Sequence, residues 1–175
     1  QVACKRAEFC ANIAPIAQKI HSHLTDGAET LAVSLDKKYA GDEKELEKRF
    51  FDEFSANRER DVRLGFTASG PHRDDLDIAI NGDDAKSFAS QGQTRTAALS
   101  LKLAEVEIFK DMSGEYPVLI LDDVMSELDL PRRKKLVCYT QDLQTILTCT
   151  HAERVLYGKV ANKIKIDGGK IKSEG

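Results

Sequence analysis

The chain has 175 residues, 41% hydrophobic and 31% charged, with a net charge of −3 when histidine is neutral. That profile is globular and excludes a disordered chain, and no apolar run approaches membrane-spanning length. The slight acidity excludes attraction of nucleic acid by bulk charge, so any DNA contact needs a local basic face or further segments. Cys4, Cys10, Cys138 and Cys149 show no Cys-x-x-Cys spacing, which argues against a zinc knuckle or a redox motif. They read as small buried hydrophobes in a reducing compartment, and with no signal peptide the expected location is cytoplasmic.

Val2, Phe9, Ile13, Ile16, Ile20 and Leu24 recur at near-helical steps and predict a first helix with that stripe facing a core or another helix. Pro15 is expected to kink it, and Asp26-Gly27 to stop it. No capping residue precedes the stripe, so the chain is expected to be cut from something longer. Leu31, Val33 and Leu35 alternate as in a strand. Asp42, with Glu45 three residues on, is expected to cap a second helix whose apolar face is Leu46, Phe50 and Phe54. Beyond a composition shift at residues 65–71, Leu76, Ile78 and Ile80 alternate and Asn81-Gly82 signals a hairpin turn.

Ser90-Gln91-Gly92-Gln93 opens a long helix carrying Leu99, Leu103, Val106 and Phe109, which Gly114 ends. Residues 117–121 are a short apolar run, expected to be a strand buried on both faces. Pro131 opens another helix, and 145–149 is expected to be a second buried strand. The tail from Val155 reads as short strands around a Gly168-Gly169 turn. From Gln93 the order helix, strand, helix, strand is the rhythm of an α/β parallel sheet with crossover helices. Residues 1–60 are mostly helical and are expected to form an arm lobe, with 61–175 the α/β part.

Val118-Leu119-Ile120-Leu121-Asp122-Asp123 drives a strand into the core and releases two carboxylates at its C-terminal end, the edge where parallel sheets place ligands. One carboxylate there suits Mg²⁺, and the next suits orienting an attacking water. A solvated strand end or a helix cap reads the same residues equally well. Ser126-Glu127-Leu128-Asp129 follows, and by itself is a polar turn before Pro131. The N–H groups at the tip of the helix opened by Ser90 suit phosphate, Gly92 permits close approach, and Ser90 adds a hydroxyl; a plain N-cap is the alternative.

Taken together, these segments bear a resemblance to a known family. Ser90 to Gln93 resembles the signature motif of ATP-binding-cassette ATPases, residues 119–123 their Walker B strand, and Ser126 to Asp129 their D-loop. Gly70-Pro71-His72-Arg73-Asp74-Asp75-Leu76 resembles a segment of the RecF family of recombinational-repair proteins, which is related to the SMC ATPases. The likeness runs from about Val2 to the last strands. It implies the C-terminal part of such an ATPase head, a parallel sheet with crossover helices, plus a mostly helical arm lobe. It implies that Ser90, Gln91, Gly92 and Gln93 meet ATP held on an opposing protomer. Asp122 would serve Mg²⁺, and Asp123 would stand where many relatives carry the catalytic glutamate. Ser126 and Asp129 would line an ATP-dependent homodimer, and His151 would reach the γ-phosphate unless it is only a polar strand-end residue. The implied partners are double-stranded and gapped DNA, RecR and RecO, with no membrane.

Asp123 is one methylene shorter than glutamate, which predicts slow hydrolysis. The phosphate-gripping loop Gly-x-x-x-x-Gly-Lys-Ser/Thr is absent: Gly158-Lys159-Val160 and Gly169-Lys170-Ile171 lack its hydroxyl and its upstream glycine. ATP binding is therefore expected to need an N-terminal half. Another SMC-like head fragment, a self-sufficient metal-dependent hydrolase built on Asp122 and Asp123, and a non-catalytic interaction module remain as alternatives. The cluster at residues 132–135 reads as a solvated helix face or as a contact to DNA phosphates, and His72 and Arg73 have no assigned chemical role.

Overall fold

The computed structural model describes residues 1–36, 43–151 and 162–173. Within them the order is α1 (Val2–Leu24), β1 (Leu31–Leu35), α2 (Glu43–Leu64), β2 (Leu76–Ile80), β3 (Asp83–Asp84), α3 (Ala85–Phe88), α4 (Gln91–Ser113), β4 (Leu119–Leu121), α5 (Leu130–Tyr139), β5 (Thr145–Leu147), β6 (Ile164–Asp167) and β7 (Lys170–Ser173). Short 3-10 turns lie at Pro71–Arg73 and Val124–Glu127. The expected cap Asp42 and part of the expected tail, residues 155–161, lie outside the described residues.

Helix α1 runs through Pro15 as one element. Its buried face is Ala3, Cys10, Ile13, Ala17, Ile20, His21 and Leu24, so the expected stripe is rotated. Ala3, Cys10 and Ala17 face the core because small side chains let α1 approach α4 closely, where α4 in turn offers Ala97, Ser100 and Ala104. Val2 and Phe9, expected in that stripe, are exposed on the flank. They line a groove of about 1420 Å³ with Leu35, Leu101 and Met112.

The antiparallel pair β1–β2 aligns Leu31 with Ile80 and Leu35 with Leu76. Its apolar alternation points Leu31, Val33 and Ile80 into the core. Asn81 (φ 55°) and Gly82 (φ 90°) make the left-handed two-residue turn into β3. The Asn81 side chain also accepts the Thr30 N–H at 2.8 Å.

Helix α2 buries only Leu46, whereas Phe54, expected on its apolar face, is exposed. The helix is too charged to bury a full stripe, and it packs on the return segment instead. There Phe54 fills the space over Gly70 and Asp61 accepts the Ala68 N–H. The expected boundary at residue 60 falls within α2, and α1 and β1 supply side chains to the same core as α4 and β4.

Helix α4 buries Leu99, Leu103 and Val106 and ends on Gly114 at φ 82°, a left-handed cap that favours glycine. Phe109, the fourth apolar residue named for this helix, is exposed. Glu107 is half-buried and accepts the Tyr139 hydroxyl at 2.5 Å. Burial, and then that contact, hold the Tyr139 phenol well above its ordinary pKa. Cys138, expected to be buried, is exposed.

Strands β4 and β5 pair in parallel, Leu119 with Thr145 and Leu121 with Leu147, across the α5 crossover. Leu119 and Leu121 are buried, but Ile120 is 66% exposed and Ile146 53%, and Val118 is also open. The strand expected to be buried on both faces therefore has one bare apolar face. Nothing among the described residues covers it, and β5 is shorter than the expected 145–149 strand. The bare face borders a cleft of about 480 Å³ that also contains Phe109. The final hairpin, β6–β7, turns at Gly168 and Gly169 as expected.

Candidate nucleotide-facing site

At the tip of α4, Ser90 is the N-cap and forms a capping box with Gln93. The Ser90 hydroxyl oxygen accepts the Gln93 N–H at 3.3 Å, and the Gln93 side chain accepts the Ser90 N–H at 2.9 Å. The Ser90 hydroxyl accepts in this box, so its own proton remains available to donate outward. The N–H groups of Gln91 and Gly92 precede the intrahelical ladder and need an outside acceptor. Gly92 lies in the first turn without a left-handed φ, and nothing among the described residues stands within 4 Å of where a Cβ would be. Alanine would fit there, so no contact among the described residues calls for glycine.

At the end of β4, one hydroxyl organises both aspartates. Thr148 Oγ1 donates to Asp122 Oδ1 at 2.6 Å and accepts the Asp123 backbone N–H at 2.9 Å. The Thr148 N–H in turn donates to the Leu121 carbonyl at 3.0 Å. Asp123 sits at φ 50°, a left-handed conformation that turns the chain sharply away from the strand. Both carboxylates are exposed. Sequence reasoning missed Thr148. Its only signal is the parallel register, which pairs Leu121 with Leu147 and so sets the next residues, Asp122 and Thr148, side by side.

The Val124–Glu127 turn follows, with the Ser126 hydroxyl donating to the Asp123 carbonyl at 2.9 Å. Asp129 caps α5, accepting the Arg132 N–H at 2.9 Å, and pairs with the Arg132 guanidinium at 2.5 Å. The backbone donor, followed by that guanidinium, holds the Asp129 carboxyl below its ordinary pKa. The turn and the tip of α4 border each other, because Arg95, one turn into α4, pairs with Glu127 at 3.5 Å. His151 is exposed, just beyond β5.

Three residues of the basic cluster are tied into the fold, and Lys134 is exposed. Arg132 reaches Asp129 and Glu29, the Arg133 Nε–H donates to the Leu128 carbonyl at 2.7 Å, and Lys135 pairs with Asp26 at 2.5 Å. His72 and Arg73 both approach the Thr67 carbonyl, at 3.0 and 3.2 Å, and so brace the return loop before β2.

No group of three or more histidine, cysteine, aspartate or glutamate side chains with metal-site geometry occurs among the described residues. Asp122 nevertheless fits Mg²⁺: it is a hard oxygen donor with one oxygen fixed by Thr148, and Mg²⁺ commonly takes one or two carboxylates plus substrate phosphates.

No family model matches the chain. The DNA replication and repair protein RecF of Ruminiclostridium cellulolyticum is 41% identical over 174 residues, covering 96% of this chain and 47% of that protein. The RecF of Staphylococcus carnosus is 39% identical over 178 residues, covering 98% and 48%. The chain corresponds to the C-terminal half of the RecF family. It spans about half the length of the curated relatives it matches. Its fold agrees with the RecF assignment. The solved structure of the recombination mediator RecF-ATPrS of the RecFOR pathway superposes with a TM-score of 0.80 at 32% identity, over 97% of this chain and 46% of that one. The RecF–ATP structure of the same pathway gives 0.79 at 30% identity. An SMC ATPase chain gives 0.58 over 96% of this chain at 13% identity, which shows a shared fold with the SMC head and no more. The α/β architecture of an ATPase head, with its parallel pair and crossover helix, is thus the fold of this RecF-type chain.

Proposed function

We propose that the chain supplies the signature-motif, Walker B and D-loop surfaces of an ATP-sandwich dimer in a RecF-type DNA-repair ATPase. One observation carries this reading: in a chain superposing on ATP-bound RecF, Thr148 braces Asp122 and Asp123 at the C-terminal edge of the parallel pair. In it, Asp122 holds Mg²⁺, which would supply charge neutralisation at the nucleotide phosphates, and Asp123 orients the attacking water. Ser90, with the N–H groups of Gln91 and Gly92 and the capping residue Gln93, receives the γ-phosphate bound on the opposing protomer. Ser126 and Asp129 line the dimer contact, and His151 reaches toward the γ-phosphate. The short Asp123 side chain makes turnover slow. Residues 1–60 contribute to the arm lobe and 61–175 to the head, and the complete ATPase acts in the cytoplasm on double-stranded and gapped DNA with RecR and RecO.

The bare face of Val118, Ile120 and Ile146 supports this reading, because parallel sheets of this class are covered on both faces and this one has a face open to a further surface. The test combines the chain with a RecF N-terminal half and follows ATP-dependent dimerisation by sedimentation. Dimerisation on adding ATP and Mg²⁺, abolished by Ser90→Arg, is expected. Metal-dependent turnover by the isolated chain would instead identify a self-sufficient hydrolase. Unchanged dimerisation in both Ser90→Arg and Asp122→Asn would point to an interaction module.

A further inference from the structure

Between α1 and α4, where apolar side chains would pack without penalty, three fully buried polar residues meet: His21, Thr96 and Ser100, each 0% exposed. Burying such groups is costly unless every one finds a partner. All do, and the partners form one continuous line. Thr96 Oγ1 donates to the Gly92 carbonyl at 2.7 Å. The Ser100 hydroxyl donates to the Thr96 carbonyl at 2.7 Å and lies 3.2 Å from His21 Nδ1. On the other side of the ring, His21 Nε2 lies 3.2 Å from Glu29 Oε2. Glu29 Oε1 meets the Arg132 guanidinium at 3.4 Å, and Arg132 holds Asp129. Burial lowers the His21 pKa, Arg132 adds to the effect, and Glu29 opposes it. In the neutral ring Nε2–H donates to Glu29, while Nδ1 lies against the Ser100 oxygen, whose proton is given to the Thr96 carbonyl.

We propose that His21 and Glu29 are positioning residues that join the Gly92 turn of α4 to Asp129 at the start of α5, so that the two surfaces move as one. Neither touches nucleotide. They act through Ser100 and Thr96 on one side and through Arg132 on the other. This inference rests on the ATP-sandwich reading for its consequence, but its mechanical content does not. Proximity along a line of bonds is not coupling, so the measurement has to be one of coupling.

The first arm uses the chain as it stands and follows amide hydrogen exchange in His21→Leu, Glu29→Gln and the double variant. Faster exchange at the hydrogen-bonded amides of both ends, residues 93–94 and 132–133, is expected in each, with the double variant no faster than either single one. Change confined to α1, or additive effects, would overturn the relay. Ser100→Ala removes a single hydroxyl and guards against misfolding. If it folds and leaves the 132–133 amides unchanged, the relay is refuted. The second arm measures ATP-dependent dimerisation with a RecF N-terminal half, where Glu29→Gln is expected to weaken association about tenfold. Wild-type dimerisation with Glu29→Gln undiminished would overturn the positioning role. Were the unaltered protein itself not to dimerise with ATP, the functional reading would fail and the exchange arm would decide the relay.

Discussion

The two principal sheets treat the same kind of strand in opposite ways. In β1–β2 the large apolar side chains Leu31, Val33 and Ile80 all enter the core, and the alternates that face outward are small or polar: Ala32, Ser34 and Asp77. In β4–β5 both kinds of position are apolar, yet only Leu119 and Leu121 are buried, while Val118, Ile120 and Ile146 are bare. An alternating strand declares that one side meets water, and the structure agrees. An all-apolar strand declares that both sides meet protein, and here one side is left for a surface outside the described residues. The first sheet is finished and the second is not.

Three substitutions sharpen this contrast, each read by urea unfolding of the chain. Leu31→Ala, in the finished sheet, is expected to cost about 2–5 kcal/mol, because a cavity opens where nothing can collapse into it. Asn81→Ala is expected to cost about 1–2 kcal/mol, since alanine tolerates φ 55° poorly and the Thr30 N–H loses its acceptor. Ile120→Thr is expected to change stability by no more than about 0.5 kcal/mol, the range of an exposed position. A loss from Ile120→Thr matching that from Leu31→Ala would mean that the face is covered in solution, and the contrast would fail.

Much of the fold was legible in the residues because it depends on local chemistry. The β2 alternation, the Asn81-Gly82 turn, the Ser90 cap and the Gly114 stop of α4 each need only neighbours within a few positions. The parallel pairing of β4 with β5 followed from element order. What was not legible depends on partners far along the chain. The face of α1 was misjudged because size outranked hydrophobicity: Ala3, Cys10 and Ala17 pack closely where Val2 and Phe9 are too bulky to fit. Thr148 meets Asp122 across 26 positions and Ser100 meets His21 across 79, so neither pairing leaves a periodic trace. The candidate aspartates were visible as a motif, but what orients them was not.

The Thr148 hydroxyl has a mechanical consequence. Because it receives from one aspartate's backbone and gives to the other's carboxylate, β5 cannot slip along β4 by even one residue without releasing both. Any displacement of β5, whether by a ligand at the strand ends or by a protein pressing on the open face, is therefore felt at once as a rotation of acidic groups. Strand register and carboxylate aim behave as parts of a single latch.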